Sequence, residues 1–533
     1  MTKIQSLAVI TITFFVLAIS GIMFLETYED HIQKLFFSNF GQPDIIYYKL
    51  HFSFWPEVFF TINKINSSLP WYEIFLSAIN IIALYVCIRD LKGNWFINTI
   101  FIFSILIPQL IFLNYTRVAI FAATVATIGI LQSNGNKKII GYLILLLVAT
   151  SIRWQLSFYT ILIVLALYLN LSNLKRLIWL PVILIIPLYM YIQNTSSKQI
   201  EFYNTESYIF SLNDSKNAKS ILESDTQSLL IKEMTTRFII PERRIINETS
   251  LSKITFKKFF EPAAISSTVK NFLQKILDFH KKPIIYLVIG YCFVLLLLYV
   301  FYTLEIYKYG IEHLIRIAIA LSIIIGISIL IRAVFYVIFP SMFIILIYVL
   351  NNNFFINYKQ KLIALLMGLT IALLSILYSF ELQKKVLPNQ NLVTSIYKKL
   401  NELNYKKKKL MWDSQSVVIN FKPIFRPITS RQNNYFIEEP YLNAESQIPN
   451  NNFKNYSDFI NYMSNKSLWI TDKERFTLIN KYLKTFYKKE YSYTIIESFP
   501  YNKNLKVNKI NNNIYESDTS ILIIKPINYL KTY

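Results

Sequence analysis

Glycine, cysteine and charge are all scarce in this chain. Ten glycines in 533 residues leave little room for phosphate-cradling loops. Neither a P-loop, a dinucleotide-type glycine fingerprint nor a nucleophile elbow occurs. The two cysteines, Cys87 and Cys292, both lie in apolar runs, which excludes a disulfide framework and a thiolate metal site. Four histidines, His31, His51, His280 and His313, are never paired at ligand spacing, so no metal and no other cofactor is expected. Charged residues make up 16% of the chain, against roughly a quarter in a soluble domain.

What fills the chain instead is apolar. Hydrophobic residues make up 54% and the mean hydropathy is +0.37. Several runs reach the roughly 20 residues that cross a bilayer as a helix. The expected fold is an all-α polytopic membrane protein of about eleven transmembrane helices by hydropathy, with a small C-terminal α/β domain outside the membrane. The net charge of +23 is accounted for by lysines that flank spans and meet anionic headgroups. Membrane lipids are therefore expected partners and nucleic acid is not.

The spans fall near residues 5–25, 73–89, 95–113, 116–133, 139–152, 154–171, 177–193, 284–305, 315–331, 333–350 and 362–381. The sequence Leu25-Glu26-Thr27-Tyr28 is no small-residue cleavage site, so the first run reads as an anchor. With the N-terminus inside, every inward loop is basic: Arg89 and Lys92, Lys137 and Lys138, Lys175 and Arg176, Lys308 and Arg316, Lys359 and Lys361. The positive-inside rule selects that orientation, and an odd span count sends the C-terminus outward. Residues 1–381 then form the membrane domain, with large outward loops at 26–72 and 194–283, and residues 382–533 form a soluble outward domain. In that tail, Ser467 to Thr471 reads as a buried strand, Asp472 as a helix N-cap and Glu474 to Phe486 as an amphipathic helix. Tyr493 to Ile496 and Ser520 to Ile524 read as further strands.

Against the charge bias, three arginines stand at outward span ends: Arg117, Arg153 and Arg332. Arg153 breaks the apolar stretch 139–171, and Arg332 breaks 315–350. A cation held at the membrane boundary against the prevailing bias calls for an anionic partner. Arginine binds phosphate through bidentate charge-assisted hydrogen bonds. The first outward loop supplies carboxylates (Glu26, Glu29, Asp30, Asp44 and Glu57) and aromatic rings, Tyr48 and Trp55 among them. A carboxylate can accept the proton of an attacking hydroxyl, and aromatic faces pack on sugars and lipid tails. Pro108-Gln109, Trp154 and Gln155 lie near the same level and are secondary candidates. Each of these groups also has an ordinary structural explanation: a solvated acid, or an arginine reaching for headgroups.

The ordered set of motifs resembles the EpsG-like, Wzy-like polysaccharide polymerases. Asp44-Ile45-Ile46-Tyr47-Tyr48 resembles their first motif and Trp55-Pro56-Glu57-Val58-Phe59-Phe60 their second. Thr116-Arg117-Val118-Ala119, Ile152-Arg153-Trp154-Gln155-Leu156-Ser157 and Arg332-Ala333-Val334-Phe335-Tyr336 follow in the same order. The chain departs from that family in having Val118 where Gln is usual and Arg153 where His is usual. More broadly, one span followed by an outward loop with Glu26, Glu29 and Asp30 is similar to membrane glycosyltransferases of the GT-C superfamily.

The resemblance implies a glycosyltransferase or oligosaccharide polymerase of the bacterial inner membrane that acts in surface or exopolysaccharide biosynthesis. It would take a polyprenyl-(pyro)phosphate-linked saccharide on the outward face, alongside other polysaccharide-assembly proteins. Arg117, Arg153 and Arg332 would hold phosphate, and Asp44, Glu57, Glu26 or Asp30 would act on the acceptor hydroxyl. Tyr48, Trp55, Trp154 and Gln155 would contact sugar or lipid. The alternatives are a GT-C enzyme that adds a single sugar and a flippase for a lipid-linked oligosaccharide.

Overall fold

The computed structural model describes residues 3–25, 34, 54–66, 68–91, 95–133, 135–193, 205, 208–209, 212, 221–237, 239, 242, 245–255, 306–330, 335–352, 358–403, 409–413, 435–438, 457–458, 460–461, 467–500 and 520–529. Glu26, Asp30, Asp44, Tyr48 and Arg332, and the span expected at 284–305, lie outside these residues.

The described chain is mostly helical. Helices α1 (Lys3–Ile19), α2 (Trp55–Ile65), α3 (Trp71–Asp90) and α4 (Trp95–Phe101) come first. A π-helical turn (Ile102–Leu106) joins α4 to α5 (Ile107–Ile111), and α6 (Tyr115–Gln132) and α7 (Asn136–Tyr168) follow. After a 3-10 segment (Leu171–Leu184) come α8 (Ile185–Gln193), α9 (Thr226–Thr236), α10 (Glu248–Ile254), α11 (Ile306–Leu330), α12 (Phe335–Asn351) and α13 (Tyr358–Glu402). Among the described residues, five helical stretches are long and apolar enough to cross a membrane: Trp71–Asp90, Tyr115–Gln132, Lys137–Tyr168, Leu171–Tyr189 and Lys359–Glu381.

Helix α6 forms the centre of the bundle. Every residue from Tyr115 to Leu131 is buried. Its small residues Ala119, Ala122, Ala123, Ala126 and Gly129 let neighbouring backbones approach closely. The first helix is shorter than the hydropathy predicts: it stops at Ile19, and Gly21 adopts a left-handed φ of 70°. That conformation is open to glycine and ends helices. The chain then forms a short strand, β1 (Phe24–Leu25), parallel to β2 (Phe112–Leu113).

Helix α7 turns back on itself. Arg153 has φ −155° and ψ 80°, outside the helical region. Before it, Tyr142 lies against Gly129 near the end of α6. Arg153 itself stands over Tyr115 at the start of α6. Beyond the end of α7, Arg176 donates to the Ile130 carbonyl, back at the end of α6. The chain thus rises along α6 for about 20 Å and returns. The break expected at Arg153 is where the helix reverses.

The helix ends gather into two groups. At one end Leu25 is in register with Leu113, Phe112 meets Tyr378, and Ser379 donates to the Ile22 carbonyl. At the other, Arg89 and Asp90 meet Tyr142, Arg316 donates to the Leu167 carbonyl, and His313 and Tyr168 meet Tyr348. An open cavity of about 550 Å³ at this second end is lined by Leu169, Asn170, Leu171, Ser172, Glu312 and Arg316.

The C-terminal part forms a five-stranded sheet. Its strands are β3 (Lys409–Asp413), β4 (Tyr435–Glu438), β5 (Ser467–Asp472), β6 (Glu490–Pro500) and β7 (Ser520–Tyr529), ordered β4-β3-β5-β7-β6. The first three in that order are mutually parallel; β7 runs antiparallel to both β5 and β6. Asp472 caps α14 (Lys473–Tyr487), accepting from the Arg475 amide at 2.8 Å.

Residues from the second large loop pack into this sheet-and-helix unit. Leu230, Met234 and Ile239 share one core with Trp469, Phe476, Ile479 and Tyr482. Arg237 pairs with Glu474 at 2.7 Å, Arg475 donates to the Arg237 carbonyl, and Tyr487 donates to Glu242. The described parts of the loop and the tail are separate in the sequence but share one core.

Candidate functional site

Of the three arginines, two are described: Arg117 lies in the first turn of α6, and Arg153 packs on Tyr115, the first residue of that helix. Asn114 is the N-cap of that helix and accepts from the Arg117 amide at 3.0 Å. This fixes the turn and directs the Arg117 side chain into the bundle, where it is wholly buried. Its guanidinium lies 5.1 Å from the Phe112 ring centroid and 5.3 Å from that of Phe339. Arg153, at the apex of α7, lies 5.6 Å from the Tyr115 ring, two residues before Arg117. Such cation–π contacts hold a guanidinium in place where water is scarce. A guanidinium offers its face to a ring and its planar N–H edge to hydrogen-bond acceptors, anions among them.

This concentration of positive charge has an electrostatic consequence. The N-terminus of a helix already carries partial positive charge from its aligned peptide dipoles. Two guanidinium groups at that point add to it. The combination repels further cations and draws anions, as helix N-termini do for phosphate generally.

An aromatic wall adjoins the arginines. Pro56 stands in the first turn of α2, where its fixed φ suits a helix start. Beside it, Trp55 donates from Nε1 to Ser151 Oγ at 2.7 Å, two residues from Arg153. Trp55 also packs on Phe75 at 4.1 Å and on Phe59 at 6.0 Å. Trp154 and Gln155 follow Arg153 and are half-buried.

Glu57 takes a different position from the arginines. Two helical positions from Trp55, it points to the other side of α2 and is exposed. The site residues expected from the sequence thus divide. Trp55, Arg117 and Arg153 lie at one end of the bundle, Trp55 beside the Arg153 break and Arg117 at the start of α6; Glu57 shares that end on an open face; Glu26, Asp30, Asp44, Tyr48 and Arg332 lie outside the described residues. Two of these are near neighbours in sequence of described residues. Glu26 directly follows Leu25, which pairs with Leu113 beside the α6 cap. Arg332 precedes by three residues the start of α12, whose Phe339 touches Arg117.

The sequence singles out Gln109 but not its partner Asn80, and several other groups near the site escape it. Phe112, Tyr115 and Phe339 hold the arginines. Lys34 and Glu73 form a buried ion pair at the start of α3. Asn80 on α3 and Gln109 on α5 exchange two hydrogen bonds, Asn80 Nδ2 to the Gln109 carbonyl at 2.9 Å and Gln109 Nε2 to Asn80 Oδ1 at 3.1 Å. One signal was available: Glu73, Ser77 and Asn80 recur at helical spacing inside an apolar span. Among the described residues no cluster of three or more metal-ligating side chains occurs.

Compared with protein-family models, with curated proteins and with solved structures, the chain finds no match.

Proposed function

We propose that this protein is a glycosyltransferase or oligosaccharide polymerase of surface-polysaccharide assembly in a bacterial inner membrane. It acts at the outward face on a polyprenyl-(pyro)phosphate-linked saccharide. The observation that carries this reading is the pair Arg117 and Arg153 at the first turn of α6, each held on an aromatic ring. A lipid-linked sugar phosphate needs a cationic clamp at membrane depth, an aromatic wall and a nearby carboxylate. The two halves of α7, from Asn136 to the break at Arg153 and from there to Tyr168, are each about 22–25 Å long at 1.5 Å per residue. The hydrocarbon core is about 30 Å thick. Halves of that length fall a few ångströms short of the core thickness, which suits a break at Arg153 near the outer boundary of the core, where broken helices are tolerated if they line a cavity.

In this mechanism the acceptor hydroxyl oxygen attacks the anomeric carbon. The bond from that carbon to the phosphate oxygen breaks. A carboxylate (Glu57, Asp44, Glu26 or Asp30) takes the hydroxyl proton. The guanidinium groups of Arg117, Arg153 and Arg332 stabilise the charge that develops on the departing lipid phosphate. Eleven spans, an inward N-terminus and an outward tail complete the reading. Its support is the alternation of helix ends: Arg89, Arg176 and Arg316 fall in one group of ends and the arginine site in the other.

The test is a deletion strain whose lipid-linked and surface glycans are profiled by gel and mass spectrometry. Single lipid-linked repeats with no ladder indicate a polymerase. A full ladder lacking one sugar indicates a GT-C transferase and shifts the assignment to Glu26, Glu29 and Asp30. Unchanged glycans, with Arg117→Ala also silent at equal protein level, would overturn the reading.

A further inference from the structure

The interior face of α3 holds polar groups that a hydroxyl-rich ligand would satisfy. Glu73, Ser77 and Asn80 fall within about 60° of one another around the helix, and all three are buried. Asn80 fixes where this face points, because it is hydrogen-bonded to Gln109. Three residues past Gln109 is Phe112, the ring that carries the Arg117 guanidinium. The face therefore abuts the chain segment that leads into the arginine site.

Two groups are unusual, one on this face and one across from it on α5. Buried hydroxyls in apolar helices generally return their proton to a carbonyl one turn back. Ser104, Thr124, Thr127, Ser341 and Ser375 all do so. Ser77 does not: its Oγ has no hydrogen-bond partner among the described residues, though the side chain is only 4% exposed. Gln109 spends its amide nitrogen on Asn80, and its Oε1, fully buried, likewise has no partner among the described residues. A buried donor-acceptor pair left open beside an anion site marks a place for a ligand's hydroxyls.

We propose that Ser77 and Gln109, flanked by Asn80 and the Lys34–Glu73 ion pair, form a sugar-hydroxyl subsite next to the arginines. The inference rests on the lipid-linked saccharide reading above and names the part of the site that distinguishes a glycosylated lipid phosphate from a bare one. Arg117 and Arg153 hold the phosphate that both ligands share. Ser77 and Gln109 touch only the sugar.

The experiment measures binding of two probes to the purified full-length protein in detergent: farnesyl diphosphate, and farnesyl diphosphate carrying one N-acetylhexosamine. The wild type is expected to prefer the sugar-bearing probe. Ser77→Ala is expected to weaken that probe by about tenfold, the effect of one lost hydrogen bond to a ligand, with bare farnesyl diphosphate unchanged. Because Ser77→Ala removes an unsatisfied hydroxyl, its melting temperature should not fall. Gln109→Met, checked by the same melting measurement, is the second variant. If the wild type prefers the sugar and both variants keep that preference, the open groups hold water only; the subsite is refuted and the phosphate site stands. Equal binding of both probes by the wild type refutes the subsite in the same way. Binding of neither probe overturns the lipid-linked saccharide reading and this inference together.

Discussion

A fully buried guanidinium in the first turn of a helix is an unfavourable placement, because the dipole there is already positive. Arg117 occupies that position between Phe112 and Phe339. Its planarity matters as much as its charge: an ammonium keeps the charge but neither stacks flat nor forms a two-pronged contact with phosphate. Arg117→Lys is therefore expected to lose at least about tenfold in affinity for farnesyl diphosphate, at an effect size of a lost charged hydrogen bond. Wild-type affinity in that variant would show that charge alone suffices. At this scale the sequence was informative where a residue type broke its surroundings. Arg117, Arg153 and Trp55 stand out against apolar runs. Phe112, Tyr115 and Phe339 do not, since they are three among 41 phenylalanines and 37 tyrosines, and only packing selects them. Ser77 is hidden for a different reason: a lone serine in an apolar helix ordinarily bonds its own backbone.

At the scale of elements, the sequence placed most helices and the reversal at Arg153, because apolar length and a charged interruption are both visible in one dimension. It did not show how helices touch. Gly129 on α6 is an example: a Cβ added there would overlap the ring of Tyr142 on α7. The Tyr142 hydroxyl in turn donates to Asp90 and accepts from Arg89 at the end of α3. One glycine thus lets three helices close around a polar cluster. Gly129→Ala is expected to displace the ring and destabilise the bundle by about 1–3 kcal/mol, as overpacking does. The measurement is thermal unfolding in detergent. Tyr142→Ala should be costly alone, yet the double variant should be milder than the sum, since the clash needs both partners. Strict additivity would place the strain elsewhere. The strand expected at Ser467 to Thr471 and the cap expected at Asp472 are present, because strand alternation and cap chemistry are local. The docking of Met234 and Ile239 onto that unit links residues more than 200 positions apart and leaves no local trace.

For the whole molecule, that docking constrains the topology. Residues 221–255 share a core with the tail, so both lie on one side of any membrane the chain crosses. The chain between them must then cross an even number of times. The proposed eleven-span topology meets this with four runs, at 284–305, 315–331, 333–350 and 362–381; of these, the described stretch Lys359–Glu381 is long and apolar enough to cross a membrane. Helix α13 has 45 residues, about 68 Å at 1.5 Å per residue, far more than a bilayer needs. Beyond its apolar part, Lys399 pairs with Glu497 of β6 at 2.9 Å and joins the projecting helix to the sheet. The pairing holds the Glu497 carboxyl below its ordinary range and the Lys399 ammonium above its own. A lowered carboxylate contributes above its unfolded pKa and is lost as pH falls through the folded one; a raised ammonium contributes at lower pH and is lost as pH rises through its folded value. The joint should therefore be firm at neutral pH. Protease cleavage between helix and sheet should increase below the usual carboxylate range, and Glu497→Gln should remove that dependence. The topology itself is tested by single cysteines in a chain with Cys87→Ser and Cys292→Ser. Exposed Lys64, Lys253 and Lys525 should react with a membrane-impermeant maleimide on intact cells, while exposed Lys137 and Ser172 should react only after the membrane is opened. Lys137 and Ser172 flank the α7 hairpin, so opposite labelling of these two would undo the reversal at Arg153. Opposite labelling of Lys253 and Lys525 would mean an odd number of crossings between two segments that share a core, which no single membrane topology permits.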